Sequence, residues 1–169
     1  MNGDGFAAEL RKTDPCLDAE LIVSAHETAS RAHEAQSRVS GDPYLSHCEE
    51  VARILARMKL DTATVVAGLL HDVLEESDLT LAELRREYGD EVAELVDGVT
   101  RITGLRLESR EREQAEYFRK MLLSVVKDVR VILIKLADRL HNMRTIEFLD
   151  EEHIRRISLE TRDIYAPLA

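Results

Sequence analysis

An abrupt change from apolar to ionisable residues marks the part of this sequence best suited to chemistry. The apolar stretch Val65–Leu70 runs directly into four groups that can bind metals or move protons: His71, Asp72, Glu75 and Glu76. On a continuous helix, residues four apart nearly align, so His71 and Asp72 would lie over the two glutamates. A carboxylate beside a core is unfavourable unless a proton or a cation neutralises it, and a divalent metal would do so. The alternative is an acidic helix end that simply faces water.

A second segment, Ile132–Thr145, repeats this pattern of polar residues set among apolar ones. Asp138 and Asn142 are four apart and share a helix face, and Lys135 precedes Asp138 by three. A buried ion pair of Asp138 with a neighbouring cation is the structural alternative to a metal site. His47, near the start of another predicted helix, is a third candidate, although a lone histidine there is more often structural. The other histidines have no ligand-like partners in the sequence: His26, His33, His141 and His153.

Helical periodicity dominates the chain and defines the elements that would position these residues. The predicted helices are Leu17–Gln36, Leu45–Met58, Thr62–Glu75 with Asp61 as its cap, Thr80–Tyr88, a helix that Asp90 caps, Arg110–Val126, Val129–Met143 and Glu151–Tyr165. Arg101–Ser109 is predicted to be a loop. Val131–Leu133 alone would suit a strand, but the run continues without a turn residue, which favours one buried helix. The sequence therefore predicts an all-α fold.

Turn and capping residues set the predicted boundaries between helices. Thr80 and Glu83 have the spacing of a capping box, and Gly89 is predicted to end the helix that they begin. Gly41 and Pro43 mark a turn before the next helix. The helix that follows this turn has a core-facing stripe made of Val51, Ile54, Leu55 and Met58.

The composition is that of an ordinary globular protein, with 169 residues and 44% hydrophobic residues. We expect residues 1–15 to be an N-terminal extension and residues 16–169 to form a single domain. A formal charge of −10 argues against a nucleic-acid binder. Apolar stretches are too short to span a bilayer, and no secretory signal is visible at the N-terminus. Two cysteines do not make a disulfide framework, so we expect a cytoplasmic location.

The candidate metal-binding residues match the ligand pattern of a known superfamily. His47, the pair His71-Asp72, and Asp138 resemble the His, His-Asp and Asp ligands of HD-superfamily hydrolases. The surrounding motifs SGDPYLSH, LLHDVLEES, VDGVTRI, FRKMLLSVVKDVRVILIKLADRLHNMRT and IYAPLA are similar to the hydrolase domain of the RelA/SpoT homologues. The resemblance covers residues 37–169, and its specificity comes from several long motifs in the right order.

The resemblance implies an all-α HD domain that uses Mn²⁺ to hydrolyse ppGpp or pppGpp to GDP or GTP plus pyrophosphate. It assigns the metal to His47, His71, Asp72 and Asp138. It assigns catalysis to Glu75, Glu76 and Asn142, with Glu75 orienting or activating the attacking water. It assigns substrate binding to Arg38, Ser40, Lys135, Arg144, Thr145 and Tyr165, with Arg38 packing on the guanine base. The substrate would be a guanosine alarmone, and long family members continue beyond this region into a synthetase domain.

Three positions depart from the family pattern. Glu76 stands where the family has Asp, Val39 where it has Lys, and Cys48 where it has Pro. A carboxylate moved by about one methylene can slow a reaction about a hundredfold, so Glu76 predicts reduced or retuned activity. Two alternatives stay open: an HD phosphohydrolase for another nucleotide such as NADPH, and a degenerate nucleotide-binding regulatory domain.

Overall fold

Helices supply the regular structure wherever this computed structural model describes the chain, namely residues 2–103, 119 and 127–169. The helices are α1 (Gly3–Thr13), α2 (Ala19–Ala32), α3 (Leu45–Arg57), α4 (Thr62–Leu69), α5 (Val73–Glu76), α6 (Leu81–Thr103), α7 (Arg130–Arg144) and α8 (Glu151–Glu160). Within these ranges, β structure is confined to an isolated bridge between Ser37 and Pro43. The predicted all-α fold is confirmed. None of the described helices has the length and hydropathy needed to cross a bilayer.

The core lies between α3, α4, α6 and α7, which pack against one another. Each helix turns its apolar positions inward, and the largest fully buried side chains include Leu55 of α3, Leu69 of α4, Leu95 of α6 and Ile134 of α7. Burying a side chain of this size contributes about 1.5–3 kcal/mol. The segment Val131–Leu133, which alone would suit a strand, is helical as the uninterrupted run predicts.

Two glycines allow the core helices to approach each other closely. A Cβ added to Gly68 of α4 would overlap Cδ1 of Leu55, a fully buried side chain of α3. A Cβ at Gly98 of α6 would lie 2.8 Å from Cγ2 of Val131 on α7. The sequence therefore brings α3, α4 and α7, the elements that carry or adjoin the candidate residues, into one packed unit.

The predicted caps at Asp61 and Thr80 are formed as the sequence indicates. The carboxylate of Asp61 accepts the amide of Thr64 at 2.9 Å and begins α4. The hydroxyl of Thr80 accepts the amide of Glu83 at 3.3 Å, and the Glu83 carboxylate accepts the Thr80 amide at 2.9 Å. Gly89 interrupts α6 with a φ of 83°, a conformation that favours glycine.

Several predicted boundaries were wrong. The helix predicted at Leu17–Gln36 is α2, because Asp18 caps its start and His33 ends it. Met58 is half exposed, since it follows the last residue of α3 and leaves the apolar stripe. The predicted loop at Arg101–Ser109 begins too early, because α6 continues through Thr103. The remainder of that loop, and the helix predicted at Arg110–Val126 apart from residue 119, lie outside the described residues.

Both ends of the chain form regular structure that the sequence described only in outline. Residues 1–15, predicted as an extension, contain α1, which packs on α2 and buries Phe6. Arg53 of α3 lies 5.0 Å over the Phe6 ring and donates to Glu9 at 2.7 Å, so α1 is also tied to α3. The last predicted helix ends as an α-helix at Glu160 and continues as a wider π turn.

The cap at Asp61 gives a first testable prediction. Asp61→Ala removes the acceptor for the Thr64 amide, and losing an N-cap costs about 1 kcal/mol. The exposed contacts of Asp61 with Arg130 add little to this loss. Urea denaturation should show the lower free energy of unfolding, whereas the exposed control Asp78→Ala should change it by less than about 0.5 kcal/mol. Equal stability of the two variants would contradict the capping role.

The ion pair that joins α1 to α3 predicts a pH dependence. Hydrogen bonding to Arg53 lowers the pKa of Glu9 below its ordinary value of 4.5. Such a carboxylate stabilises the fold above the unfolded-state value, and this contribution is lost as the pH falls through the folded-state value. Between about pH 5 and pH 3, the free energy of unfolding should therefore fall less steeply in Glu9→Gln than in wild type. The exposed control Glu20→Gln should keep the wild-type slope, and an unchanged slope in Glu9→Gln would refute the assignment.

A candidate metal centre between three segments

Three segments of the fold deliver ligand-type side chains to one place. His47 lies in the first turn of α3, His71 and Asp72 lie in the turn between α4 and α5, and Asp138 lies in α7. Among the described residues, the donor atoms of His47, His71 and Asp138 all lie within 4.8 Å of one another. Asp72 falls outside that compact set but is adjacent, with Oδ2 only 2.9 Å from Nε2 of His71. The residues that the sequence proposed as ligands are therefore neighbours in space.

The helix predicted at Thr62–Glu75 is broken where the chemistry begins, whereas Asp72 and Glu76 stay one helical turn apart, since the Asp72 carbonyl accepts the Glu76 amide at 3.0 Å. α4 ends at Leu69, and the Leu70 carbonyl accepts the amide of Val73 in a tight turn. The carbonyl of Gly68, which would take the amide of residue 72 in a continuous helix, accepts Nδ1–H of His71 instead. This turn buries His71 completely and leaves Glu75 exposed.

His71 directs one ring nitrogen into the centre. Its Nδ1 lies 2.9 Å from the Gly68 carbonyl, an acceptor only, so Nδ1 carries a proton and donates it. Nε2 is buried, no hydrogen-bond donor reaches it, and it faces Oδ2 of Asp72 at 2.9 Å. Burial would lower the pKa of His71, but the charges of Asp72 and Asp138 raise it, so Nε2 is a position that a proton or a metal ion would satisfy. An imidazole whose other nitrogen donates to a backbone carbonyl is the usual form of a metal-binding histidine.

Asp72 is held by the residue that precedes α3. The Tyr44 hydroxyl donates to Oδ2 of Asp72 at 2.6 Å, and its ring stacks on His33 at 4.7 Å between centroids. Burial by itself raises the pKa of Asp72, but the neighbouring His71 outweighs burial and keeps it below the usual range. Burial and the Asp72 charge raise the pKa of Tyr44, so its hydroxyl keeps its proton. Asp72 is thus an oriented, ionised carboxylate.

Three polar groups surround the carboxylate of Asp138. Asn142 donates to Oδ1 at 2.7 Å, Nε2 of His47 lies 3.3 Å from the same oxygen, and the Lys135 ammonium lies 3.5 Å from Oδ2. Burial would raise the pKa of Asp138, but Lys135, His47 and His71 together outweigh burial and lower it. Burial would lower the pKa of Lys135, yet facing carboxylates, Asp138 first, raise it. The ion pair weighed as an alternative to a metal site is therefore present inside the centre.

His141, which the sequence left without a partner, contacts the centre directly. Its Nδ1 lies 2.7 Å from Nδ1 of His47 and 2.9 Å from Nη1 of Arg38. Burial, followed by the charges of His47 and Arg38, lowers the pKa of His141 to about 4, so it is neutral at pH 7. Nη1 of Arg38 also lies 3.0 Å from Nδ1 of His47, and Nη2 donates to Asn142 at 2.9 Å. A signal for His141 existed in the sequence, since it follows Asp138 by three residues and so shares its helix face.

The other residues predicted for catalysis or substrate binding lie around the ligand cluster, and most of them do not contact it in this structure. Glu75 is exposed and contributes to the field at Lys135, and Glu76 is also exposed. Ser40 donates to Asp42 within the turn before α3 and does not reach the ligands in this structure. The other three substrate-binding candidates lie at or beyond the end of α7: Arg144 is exposed, the Thr145 hydroxyl donates to the His141 carbonyl, and Tyr165 is buried under the Arg139 guanidinium at 4.2 Å.

The donor set fits a divalent cation. Two imidazole nitrogens and two carboxylates offer the nitrogen and oxygen ligands that Mn²⁺, Fe²⁺ and similar ions accept. The buried, unpartnered Nε2 of His71 and the ionised carboxylates beside it supply the lone pairs and the negative charge that such an ion would neutralise. Cys48, although adjacent to His47, is buried with a raised thiol pKa, mainly because of burial, and so adds no thiolate.

Comparisons with known proteins show which family the chain is similar to. Residues 25–169 match the HD domain family. The chain is 50% identical over 158 residues to a GTP pyrophosphokinase of Myxococcus xanthus, and 52% identical over 157 residues to a guanosine-3′,5′-bis(diphosphate) 3′-pyrophosphohydrolase of Vibrio cholerae. These matches cover 92% and 93% of this chain but 21% and 22% of the relatives, so the chain spans about a fifth of their length.

A solved structure extends the likeness to three dimensions. The protein, described as a metazoan SpoT orthologue that hydrolyses ppGpp, shares 28% sequence identity and a TM-score of 0.69 with this chain. The likeness covers 82% of this chain and 79% of that one. The family match also contains every candidate ligand: His47, His71, Asp72 and Asp138. This chain therefore belongs to the HD domain family.

Proposed function

We propose that this chain is a metal-dependent phosphohydrolase that cleaves ppGpp or pppGpp to GDP or GTP plus pyrophosphate. The observation that carries the proposal is the convergence of His47, His71 and Asp138 around an imidazole nitrogen without a partner. A buried group of this kind is unfavourable without a cation, and a divalent cation is what phosphoryl transfer requires.

The substrate class is supported by the names of the relatives. The Vibrio cholerae relative is named a 3′-pyrophosphohydrolase, and an Escherichia coli relative, 51% identical over 148 residues, is named a bifunctional (p)ppGpp synthase/hydrolase. Since the chain spans about a fifth of their length, the activity, the guanosine alarmone substrate and a C-terminal synthetase domain as partner are proposals for this chain. A cytoplasmic location stays a prediction from the sequence.

The metal we propose is Mn²⁺, held by His47, His71, Asp72 and Asp138. When bound, such an ion acts as a Lewis acid, polarising a phosphoryl oxygen and acidifying a water. Tyr44 orients Asp72, the Gly68 carbonyl orients His71, and Asn142 orients Asp138, so contacts within the protein orient three of the four ligands.

The chain's own residues supply the remaining functions in the proposal. Glu75, exposed at the rim beside the buried Lys135, accepts the proton of the attacking water, and Glu76 is the second carboxylate there. Arg38 reaches the centre from the turn before α3 and binds the nucleotide in this proposal. Lys135 keeps its charge beside Asp138, and this charge offsets negative charge that develops on phosphate oxygens.

A second candidate function follows from the neighbour of Arg38. Val39 is 75% exposed, so an apolar side chain stands in the turn where the resemblance expects lysine. A missing cation weakens the case for a substrate as highly charged as an alarmone. Hydrolysis of another nucleotide such as NADPH is therefore the second candidate, and a panel of nucleotides under identical conditions separates the two.

Metal binding gives a prediction that does not depend on the substrate. The wild-type chain should bind Mn²⁺ in isothermal titration calorimetry, and Asp138→Asn should weaken binding by more than about tenfold because it removes a charged ligand. Asp78→Asn, an exposed change of the same type, should leave the affinity unchanged. Equal affinity in both variants would place the ion elsewhere.

Turnover gives the prediction that tests the proposed activity. Incubation with ppGpp and Mn²⁺ should release pyrophosphate, and chelation of the metal or Asp72→Ala should abolish release. Glu75→Gln should keep Mn²⁺ affinity while turnover falls by about 10²–10⁴-fold, because a proton acceptor is lost without a ligand. Full metal occupancy without pyrophosphate release would reject the alarmone hydrolase. In that case, a large gain from Glu76→Asp would identify a degenerate site.

A further inference from the structure

The histidine pair at the edge of the centre poses a hydrogen-bonding conflict. Nδ1 of His47, Nδ1 of His141 and Nη1 of Arg38 form a triangle with sides of 2.7, 2.9 and 3.0 Å. A guanidinium only donates, and a neutral imidazole nitrogen either donates or accepts. Two nitrogens 2.7 Å apart need one proton between them, so one histidine donates and the other accepts.

The choice of donor decides whether His47 can bind a metal. If Nδ1 of His47 carries the proton and donates to His141, the lone pair of His47 is on Nε2, which faces Asp138 at 3.3 Å. If Arg38 donates to Nδ1 of His47 instead, Nε2 carries the proton and points it at Asp138. A protonated Nε2 cannot coordinate an ion.

We propose that His141 is a positioning residue that accepts the Nδ1 proton of His47 and so holds Nε2 ready for a metal, and that Arg38 competes with it. The inference rests on the metal site of the proposed function and extends it to a residue and a contact that the sequence did not assign. His71 has the Gly68 carbonyl as its acceptor, and His141 plays the same part for His47.

The competition gives Arg38 a role that depends on where its guanidinium lies. The single lone pair on Nδ1 of His141 lies within reach of both Arg38 and His47, and one lone pair takes one good hydrogen bond. Arg38 turned inward, with Nη2 on Asn142, therefore favours the arrangement of His47 that excludes a metal. When a nucleotide draws the guanidinium away, the His141 lone pair is released to His47. Substrate and metal binding would then support each other.

Histidine tautomers in the metal-free protein test the inference without any enzymatic assay. Long-range ¹H–¹⁵N correlation spectra report which ring nitrogen of each histidine carries the proton. In Arg38→Leu, which removes the competitor, His47 should be protonated at Nδ1 and His141 at Nε2. In His141→Leu, which removes the acceptor, His47 should be protonated at Nε2. The same His47 tautomer in both variants would overturn the proposal.

Metal affinity supplies a second readout, with Mn²⁺ alone as the probe in isothermal titration calorimetry. His141→Leu should weaken binding by about 10–100-fold, the usual effect of removing such a partner. His141→Asn, which keeps an acceptor oxygen at the position of Nδ1, should restore affinity to within about threefold of wild type. Arg38→Leu should bind at least as tightly as wild type. The exposed control His153→Leu should match wild type.

The outcomes separate this inference from the function on which it rests. Undiminished affinity in His141→Leu, or equal losses in Arg38→Leu and His141→Leu, would refute the positioning role while leaving the metal site intact. No binding of Mn²⁺ to wild type would refute the proposed metal site instead. The tautomer spectra would then still decide between His141 and Arg38 as the partner of His47.

Discussion

The desolvation of one ring nitrogen is the constraint on which the candidate site depends. Nε2 of His71 is fully buried, its partner nitrogen is committed to the Gly68 carbonyl, and no hydrogen-bond donor reaches it. Two ionised carboxylates, Asp72 and Asp138, share this environment and lie where burial alone would favour their neutral forms. A protein interior tolerates such a group only with compensating charge. Lys135 supplies one positive charge, and a divalent cation between the ligands would supply the rest.

Helix packing and hydrogen bonds restrict the orientation of these ligand side chains. Gly68 lets α4 lie against α3 closely enough for the turn after Leu69 to face His47. The carbonyl of Gly68 then orients the ring of His71. One residue therefore sets both the close approach of two helices and the orientation of a ligand. Asp138 is held by Asn142, one turn further along α7. Rigid elements of this kind hold ligands in geometry more tightly than mobile loops do.

Charge is distributed so that cations are concentrated near the centre although the whole chain is acidic. The formal charge of −10 would repel an anionic nucleotide at long range. Lys135 is buried beside Asp138, and Arg38 reaches His47, His141 and Asn142 from the turn before α3. These cations act over short distances, where screening by salt is weak. Arg38 also competes with His47 for one acceptor, the Nδ1 lone pair of His141.

The sequence by itself determined the helical class and the caps at Asp61 and Thr80, because these depend on neighbours within about one helical turn, where propensity, capping and periodicity act directly. The set of four ligand candidates came from the resemblance to HD-superfamily hydrolases, since local spacing left alternatives open for each of them. The break at His71 was not predicted, because a side-chain donor to the Gly68 carbonyl competes with the next helical hydrogen bond, and periodicity does not register that competition. The contacts of His141 with His47 and Arg38 were not predicted either, since they join residues 94 and 103 positions apart. Only the packing of α3 against α7 brings those nitrogens within hydrogen-bonding distance, and local patterns carry no measure of it.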